Sequence, residues 1–296
     1  MKLKAHAYST DTLRTALSLV SHVRKTVVFR FSESHLTVVL VNALALHLEP
    51  QVWCKMPASA IFDLLEIQSL RDNTILLELN VDLFLQTLRN FERASNTAGL
   101  SIRLQRTEAS HQNCRTRLAS LALFYADTTP NGPAVHHTFK IPVRVLKSSH
   151  ETLYVQEPEL ASVDVIMRLP PQFAATYRRL EKFKRLSSNE HVLLRAKGHG
   201  DGYLGLEMED EGNYRVTVSW NQKLDIQRPE SGTDRDDVEV RVRLRDWRLT
   251  SRVVSVCHRV VLIVSHQEAC MLHCVLDDSD VEVIFHISGS RTAELE

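Results

Sequence analysis

Residues 162–187, SVDVIMRLPPQFAATYRRLEKFKRLS, decide the fold. The first eight residues, rich in β-branched and other apolar side chains, read as a strand. Two prolines end it, and Pro171 then stands in the first turn of a helix, where its missing N–H is tolerated. That helix crowds Arg178, Arg179, Lys182, Lys184 and Arg185 around one acid, Glu181. A strand that passes directly into a helix is also how the chain begins, so this stretch reads as a second start.

The first start is MKLKAHAYS, a strand without the apolar core of a signal peptide. Next comes a helix, TDTLRTALSLVSHVRK (10–25), with Thr10 or Asp11 as N-cap and Leu13, Leu17 and Val20 at helical spacing. Strands are expected at 26–32, 35–42, 74–80, 100–106, 118–126 and 135–146, all rich in β-branched or aromatic residues. Pro142 assigns its part of the last one to a sheet edge or a strand end. A second helix, VDLFLQTLRNFERA (81–94), carries Phe84, Leu88 and Phe91 on one stripe, and SAIFDLLEI (59–67) predicts one or two helical turns.

Beyond KSSHETLYVQEPELA (147–161) the order repeats. The strand and helix of 162–187 precede strands HVLLRAK, YLGLEME, YRVTVSW and VEVRVRLR. A helix DWRLTSRVVSVCHR (246–259) and strands VVLIVSH, ACMLHCVL and VEVIFHIS follow. The paired helices start near Thr10 and Pro171, and near Val81 and Asp246, so both offsets are close to 160 residues. That period is too long for a solenoid and indicates a duplicated α+β domain; two unrelated α+β domains would give the same order of elements.

With 296 residues, of which 44% are hydrophobic and 24% charged, the chain can bury large cores without staples. No apolar run approaches the roughly 18 residues of a membrane span. Five cysteines, Cys54, Cys114, Cys257, Cys270 and Cys274, read as reduced thiols of an intracellular protein.

Charge is sorted along the chain. Overall, 36 basic residues balance 36 acidic ones, yet the four helical segments hold thirteen basic residues against five acidic, an excess of eight. Arg14, Ser18, His22 and Lys25 share one stripe of the first helix, and Gln86, Arg89 and Arg93 one of the second. Arg178, Lys182 and Arg185 align on the third with Arg179 beside them, and Arg248, Arg252, Ser255 and Arg259 on the fourth. Helical propensity does not account for the imbalance, because Glu forms helices about as well as Lys or Arg. A solvated face ordinarily mixes both signs. Four helices that leave such pairing largely unused point to a common polyanion, and nucleic acid fits. Contact would be with phosphates, since no zinc finger, recognition helix or ribonucleoprotein motif is present to read bases.

Catalytic motifs are missing. GDGYLG (200–205) is a literal G-x-G-x-x-G, but LGLEME continues as a strand where a dinucleotide site needs a helix, so the glycines read as a hairpin turn. Cys270 and Cys274 would share one strand face with His273 on the other, which suits core thiols and not zinc. His136 and His137 point to opposite faces of their strand. There is no G-x-S-x-G, Walker A or H-E-x-x-H, and Asp236 and Asp237 lie in a loop. Neither a metal site, a cofactor nor an enzymatic activity is expected.

The duplicated unit, with its single crossover, resembles a sliding clamp of the PCNA type. MKLKAH, RKTVVFRFS, VWCKMP, FKIPVRVL, LYVQEPEL, VDVIMRLP and VVLIVSHQEACMLHC are similar to the checkpoint-clamp subunit of the nine-one-one ring, the Hus-one type with its fungal Mec-three form. Trp53-Cys54 and Gln156-Glu157-Pro158 carry the resemblance best. It implies an α+β clamp fold of two similar domains, 1–146 and 162–296, joined by the crossover 147–161. Antiparallel sheets would lie outside and two helices per domain inside.

The function implied is that of a non-enzymatic subunit in a heterotrimeric ring around duplex DNA at damage sites. Two other clamp subunits, a checkpoint-specific loader and, indirectly, an ATR-type kinase are the implied partners, and the nucleus the implied location. A homotrimeric replication clamp is the alternative within the fold, and a metal-dependent nuclease the alternative outside it. Replicative clamps are usually strongly acidic; the neutral charge here favours the heterotrimer. Arg14, Lys25, Arg89, Arg93, Arg178, Arg179, Lys182, Arg185, Arg248, Arg252 and Arg259 would face DNA, with the acidic remainder outside. Val135, Phe139, Ile141 and Val143 of one edge strand would meet a neighbour, as would Tyr214, Val216, Val218 and Trp220 of another.

Overall fold

Alternation along the chain becomes sheet in the computed structural model. It describes all residues except 42–48, 95–96, 107–117, 129–131, 147–156, 171, 184–189, 211–213, 222, 228–234, 236, 277–279 and 291–296. Two compact units result. Met1–Val41, Trp53–Gln156 and Asp278–Val281 form the first; Asn42–Val52, Glu157–Asp277 and Glu282–Glu296 form the second.

In the first unit, β1 (Lys2–Ala7) leads into α1 (Asp11–Ser21), then β2 (Thr26–Phe31), β3 (His35–Leu40) and β4 (Gln51–Pro57). One turn of helix, α2 (Ala58–Ile61), precedes β5 (Leu64–Gln68) and β6 (Ile75–Asn80). The unit closes with α3 (Val81–Arg93), β7 (Leu100–Arg106), β8 (Leu118–Asp127) and β9 (Val135–Val145). Its antiparallel strands run in the order β4-β3-β2-β6-β9-β8-β7-β1-β5.

The second unit runs β10 (Val165–Arg168), α4 (Phe173–Phe183), β11 (His191–Lys197), β12 (Tyr203–Asp210) and β13 (Tyr214–Trp220). After β14 (Ile226–Gln227) and β15 (Val238–Arg243) come a 3-10 segment (Leu244–Leu249), α5 (Thr250–Val256), β16 (Cys257–Ser265), β17 (Ala269–Leu276) and β18 (Glu282–Ser288). Its strands follow the orders β13-β12-β11-β15 and β18-β17-β16-β10-β14. Adding nine to each strand number of the first unit reproduces these two orders. The duplication read from the sequence is therefore present strand for strand. One link differs: β6 and β9 are bonded at Leu77–Val145, whereas β15 and β18 belong to separate ladders.

Two helical readings give way to tertiary pairing. Of segment 59–67 only the first three residues, the end of α2, are helical, because Leu64–Gln68 pairs with β1 and places Ile67 opposite Leu3. Segment 246–259 is a 3-10 turn, a short α-helix and then strand from Cys257. The turn drives Trp247 into the core, and the β-branched Val260, Val261 and Val264 then serve the ladder with β17. Strand β4 had no expectation attached to it. Its Trp53 and Cys54 are both buried. The G-x-G-x-x-G stretch is the β11–β12 turn, with Gly200 and Gly202 at φ 63° and 78° and Gly205 within β12.

Candidate nucleic-acid interface

Each unit buries the apolar stripe of its helices and leaves the cationic stripe outside. In α4, Phe173, Tyr177 and Leu180 stand at i, i+4 and i+7 and are buried. Phe173 lies 5.4 Å from the Trp247 ring and 5.6 Å from Trp220. The Tyr177 hydroxyl donates to the Leu244 carbonyl at 2.6 Å inside the core. With that stripe held, Arg178, Arg179 and Lys182 can only face solvent, and all three are exposed. Among the described residues none of them has an ion-pair partner. Arg185, Lys184 and Pro171 lie outside the described residues, as does the Arg248 side chain.

The first unit differs. α3 is capped by Asn80, whose side chain accepts from the Asp82 N–H at 2.9 Å, and buries Phe84, Leu88 and Phe91. Phe84 meets Phe29 of β2 edge-on at 5.3 Å. Arg89 and Arg93 are exposed and, among the described residues, unpaired. Arg14 is not free: its Nε donates to Glu92 of α3 at 2.7 Å, and Asp11 lies 3.4 Å away. The Glu92 hydrogen bond holds the Arg14 guanidinium above its ordinary pKa. Lys25 lies beyond the end of α1 and sits 3.6 Å from Asp82. Reading each helix alone hid both contacts, because the acids belong to the neighbouring helix.

Arg252 is exposed on α5. Arg259 is exposed on β16, opposite Val275, and not on a helix as expected.

Each of the two strands expected at subunit contacts has a stretch with an unpaired edge. Among the described residues β13 pairs with β12 on one side only, and Val135–Ile141 of β9 pairs only with β8, its Val143–Val145 end pairing also with β6. Their side chains, however, are largely engaged at home. Tyr214, Val216, Val218 and Trp220 form the half-buried face of β13. Trp220 stacks near Phe173, and the Tyr214 hydroxyl donates to the Phe183 carbonyl at 3.1 Å. Ile141 and Val143 are buried, Phe139 stacks on Tyr125 at 6.1 Å, and Val135 is exposed. What these edges offer a neighbour is chiefly backbone N–H and C=O.

Cys270 and Cys274 are buried on one face of β17 with His273 on the other, and burial pushes both thiols up in pKa. Cys54 and Cys257 are likewise buried and outside any disulfide, while Cys114 lies outside the described residues. Among the described residues no group of three or more His, Cys, Asp or Glu could hold a metal ion, and no helix is long and apolar enough to cross a membrane.

Solved structures with this architecture are sliding clamps. The PCNA2–PCNA3 complex of Sulfolobus tokodaii superposes with a TM-score of 0.61 over 98% of this chain and 99% of that one, at 14% identity. PCNA of Thermococcus kodakaraensis gives 0.62 over 97% and 100%, at 12% identity. The fold is the PCNA-type clamp. Residues 1–291 match the Hus1-like protein family, and the chain belongs to it. It is 25% identical to the DNA damage checkpoint control protein MEC3 of Eremothecium gossypii over 91% of this chain and 90% of that protein. It is 27% identical to the checkpoint protein hus1 of Schizosaccharomyces pombe over 78% and 79%. Family and fold together define a checkpoint clamp subunit, a generally non-enzymatic scaffold type.

Proposed function

We propose that this protein is a non-enzymatic subunit of a heterotrimeric ring that encircles duplex DNA at damage sites in the nucleus. In this reading 1–146 and 162–296 are the two clamp domains and 147–161 the crossover. Two other clamp subunits complete the ring, a checkpoint-specific loader places it on DNA, and the loaded ring promotes activation of an ATR-type kinase. The observation that carries the DNA contact is α4. Its apolar stripe is anchored by Phe173 and Tyr177, and Arg178, Arg179 and Lys182 are left without acidic partners among the described residues. Arg89 and Arg93 add to them from α3. Such contacts are with phosphates and independent of sequence, which lets a ring slide. The unpaired edge of β9 meeting the unpaired edge of a neighbour's β13-type strand would close the ring.

The test is co-purification of the tagged chain with two other clamp-like chains in equal amounts, followed by loading onto a recessed DNA junction. A stable homotrimer of the chain alone would favour the replicative alternative. Loading unchanged by charge reversal at Arg178, Arg179 and Lys182 would remove α4 from the DNA face.

A further inference from the structure

The face of the first unit's sheet turned away from α3 was expected to be acidic and is not. Lys4 stands opposite Arg103, Arg103 opposite Ala122, and Ala122 opposite Lys140. These residues form one row across β1, β7, β8 and β9. Residues in register across antiparallel strands point to the same side. α3 covers the other side, where Phe91 meets Tyr125 at 5.4 Å. Arg103 and Lys140 are exposed, and among the described residues neither has an ion-pair partner. Glu66, at the far end of the row, lies 3.1 Å from Lys2 and 3.6 Å from Lys4.

The neighbouring row holds Ser101, Phe124 and Thr138 in register. The Arg103 guanidinium lies 5.8 Å from the centroid of the Phe124 ring. A stacked guanidinium is pre-oriented, and its edge presents a fork of N–H donors that matches a carboxylate. Strands about 4.8 Å apart spread Lys4, Arg103 and Lys140 over roughly 15 Å, the reach of about four to five extended residues.

We propose that this band is a docking surface for an acidic, Asp/Glu-rich segment of a partner protein. Arg103 and Lys140 supply the charge, Lys4 being held by Glu66, and the Thr138 hydroxyl stands ready as a donor, the Ser101 hydroxyl being bonded to His6 at 3.2 Å. Nucleic acid fits less well. Of the rings on the two rows, Phe124 is covered by Arg103 and His6 is bonded to Ser101 and packed against Tyr8, so neither is set out for base stacking. The surface lies on the opposite side of the sheet from α3, so it is separate from Arg89 and Arg93, and it does not rest on the proposed DNA contact.

The experiment measures fluorescence anisotropy of a short labelled peptide alternating Asp and Glu with the full-length protein. Its Asn/Gln counterpart and labelled single- and double-stranded oligonucleotides run in parallel. The acidic peptide should bind and weaken with salt, and the neutral one should not bind. The variant R103E/K140E should weaken acidic-peptide binding about tenfold or more and leave duplex affinity within about twofold. If that variant fails to fold by circular dichroism, R103Q/K140Q takes its place, with a loss of about fivefold expected. Failure of the acidic peptide to bind, or binding indifferent to either variant, overturns the proposal. An equal fall in oligonucleotide affinity overturns it in favour of a nucleic-acid surface.

Discussion

The helix pair α1–α3 of the first unit and α4 of the second, which repeats α1, treat their cations differently. In the first unit Arg14 is held by Glu92 and Asp11, and Lys25 sits beside Asp82, so Arg89 and Arg93 remain open. In the second, Arg178, Arg179 and Lys182 have no such neighbours among the described residues. A cation on a helix is available to a ligand only if no acid on the packed neighbour has taken it. The duplication preserved how the helices are seated and let the charge on them diverge.

The largest effect should come from unseating one helix. Phe173→Ala removes a ring packed between two tryptophans and should lower stability by about 3–5 kcal/mol in urea titrations. Phe84→Ala, at a buried ring of α3, should lower it by a similar amount. DNA affinity of the assembled ring should then fall further for Phe173→Ala, and the reverse order would abolish the contrast between the units.

Next in size is charge reversal. Exchanging Arg178, Arg179 and Lys182 for Glu should weaken duplex binding by roughly ten- to a hundredfold and flatten the log–log salt dependence by about 2–3. Arg14→Glu, at a residue already neutralised, should change affinity less than about threefold. Equal losses would mean that the Arg14–Glu92 pair opens on DNA.

A smaller change is expected at the α3 cap. Asn80→Ala deletes the acceptor for the Asp82 N–H and should cost about 1 kcal/mol of stability, read from the thermal midpoint. Smallest is Glu92→Gln. It frees Arg14 and should raise duplex affinity about twofold, while the lost half-exposed ion pair should alter stability by less than about 1 kcal/mol. Lower affinity would show that Glu92 positions Arg14 for the ligand.

Much of this arrangement was legible in the residues. Strands such as 26–31, 191–197 and 269–276 show themselves as short, mostly apolar runs, alternating in and out of the core at 191–197, and the two strand–helix starts exposed the repeat. The errors lie where a neighbour outvoted local propensity. Leu64–Gln68 has a helix-compatible composition but completes the edge of β1. Arg259 carries a helical spacing yet sits on β16, because Cys257 onward pairs with β17. The basic row of Lys4, Arg103 and Lys140 was hidden for the same reason, since its members are about a hundred and about forty residues apart in the chain.

The chain's own order of apolar and polar residues determined the elements, their repetition and the excess of positive charge on the helices, because periodicity and composition are local. Which of those charges stay open to a ligand was decided only in three dimensions. Glu92, Asp82 and Glu66 reach the cations they neutralise across helix packing and strand register, and a Coulomb interaction depends on distance in space and not on separation along the sequence.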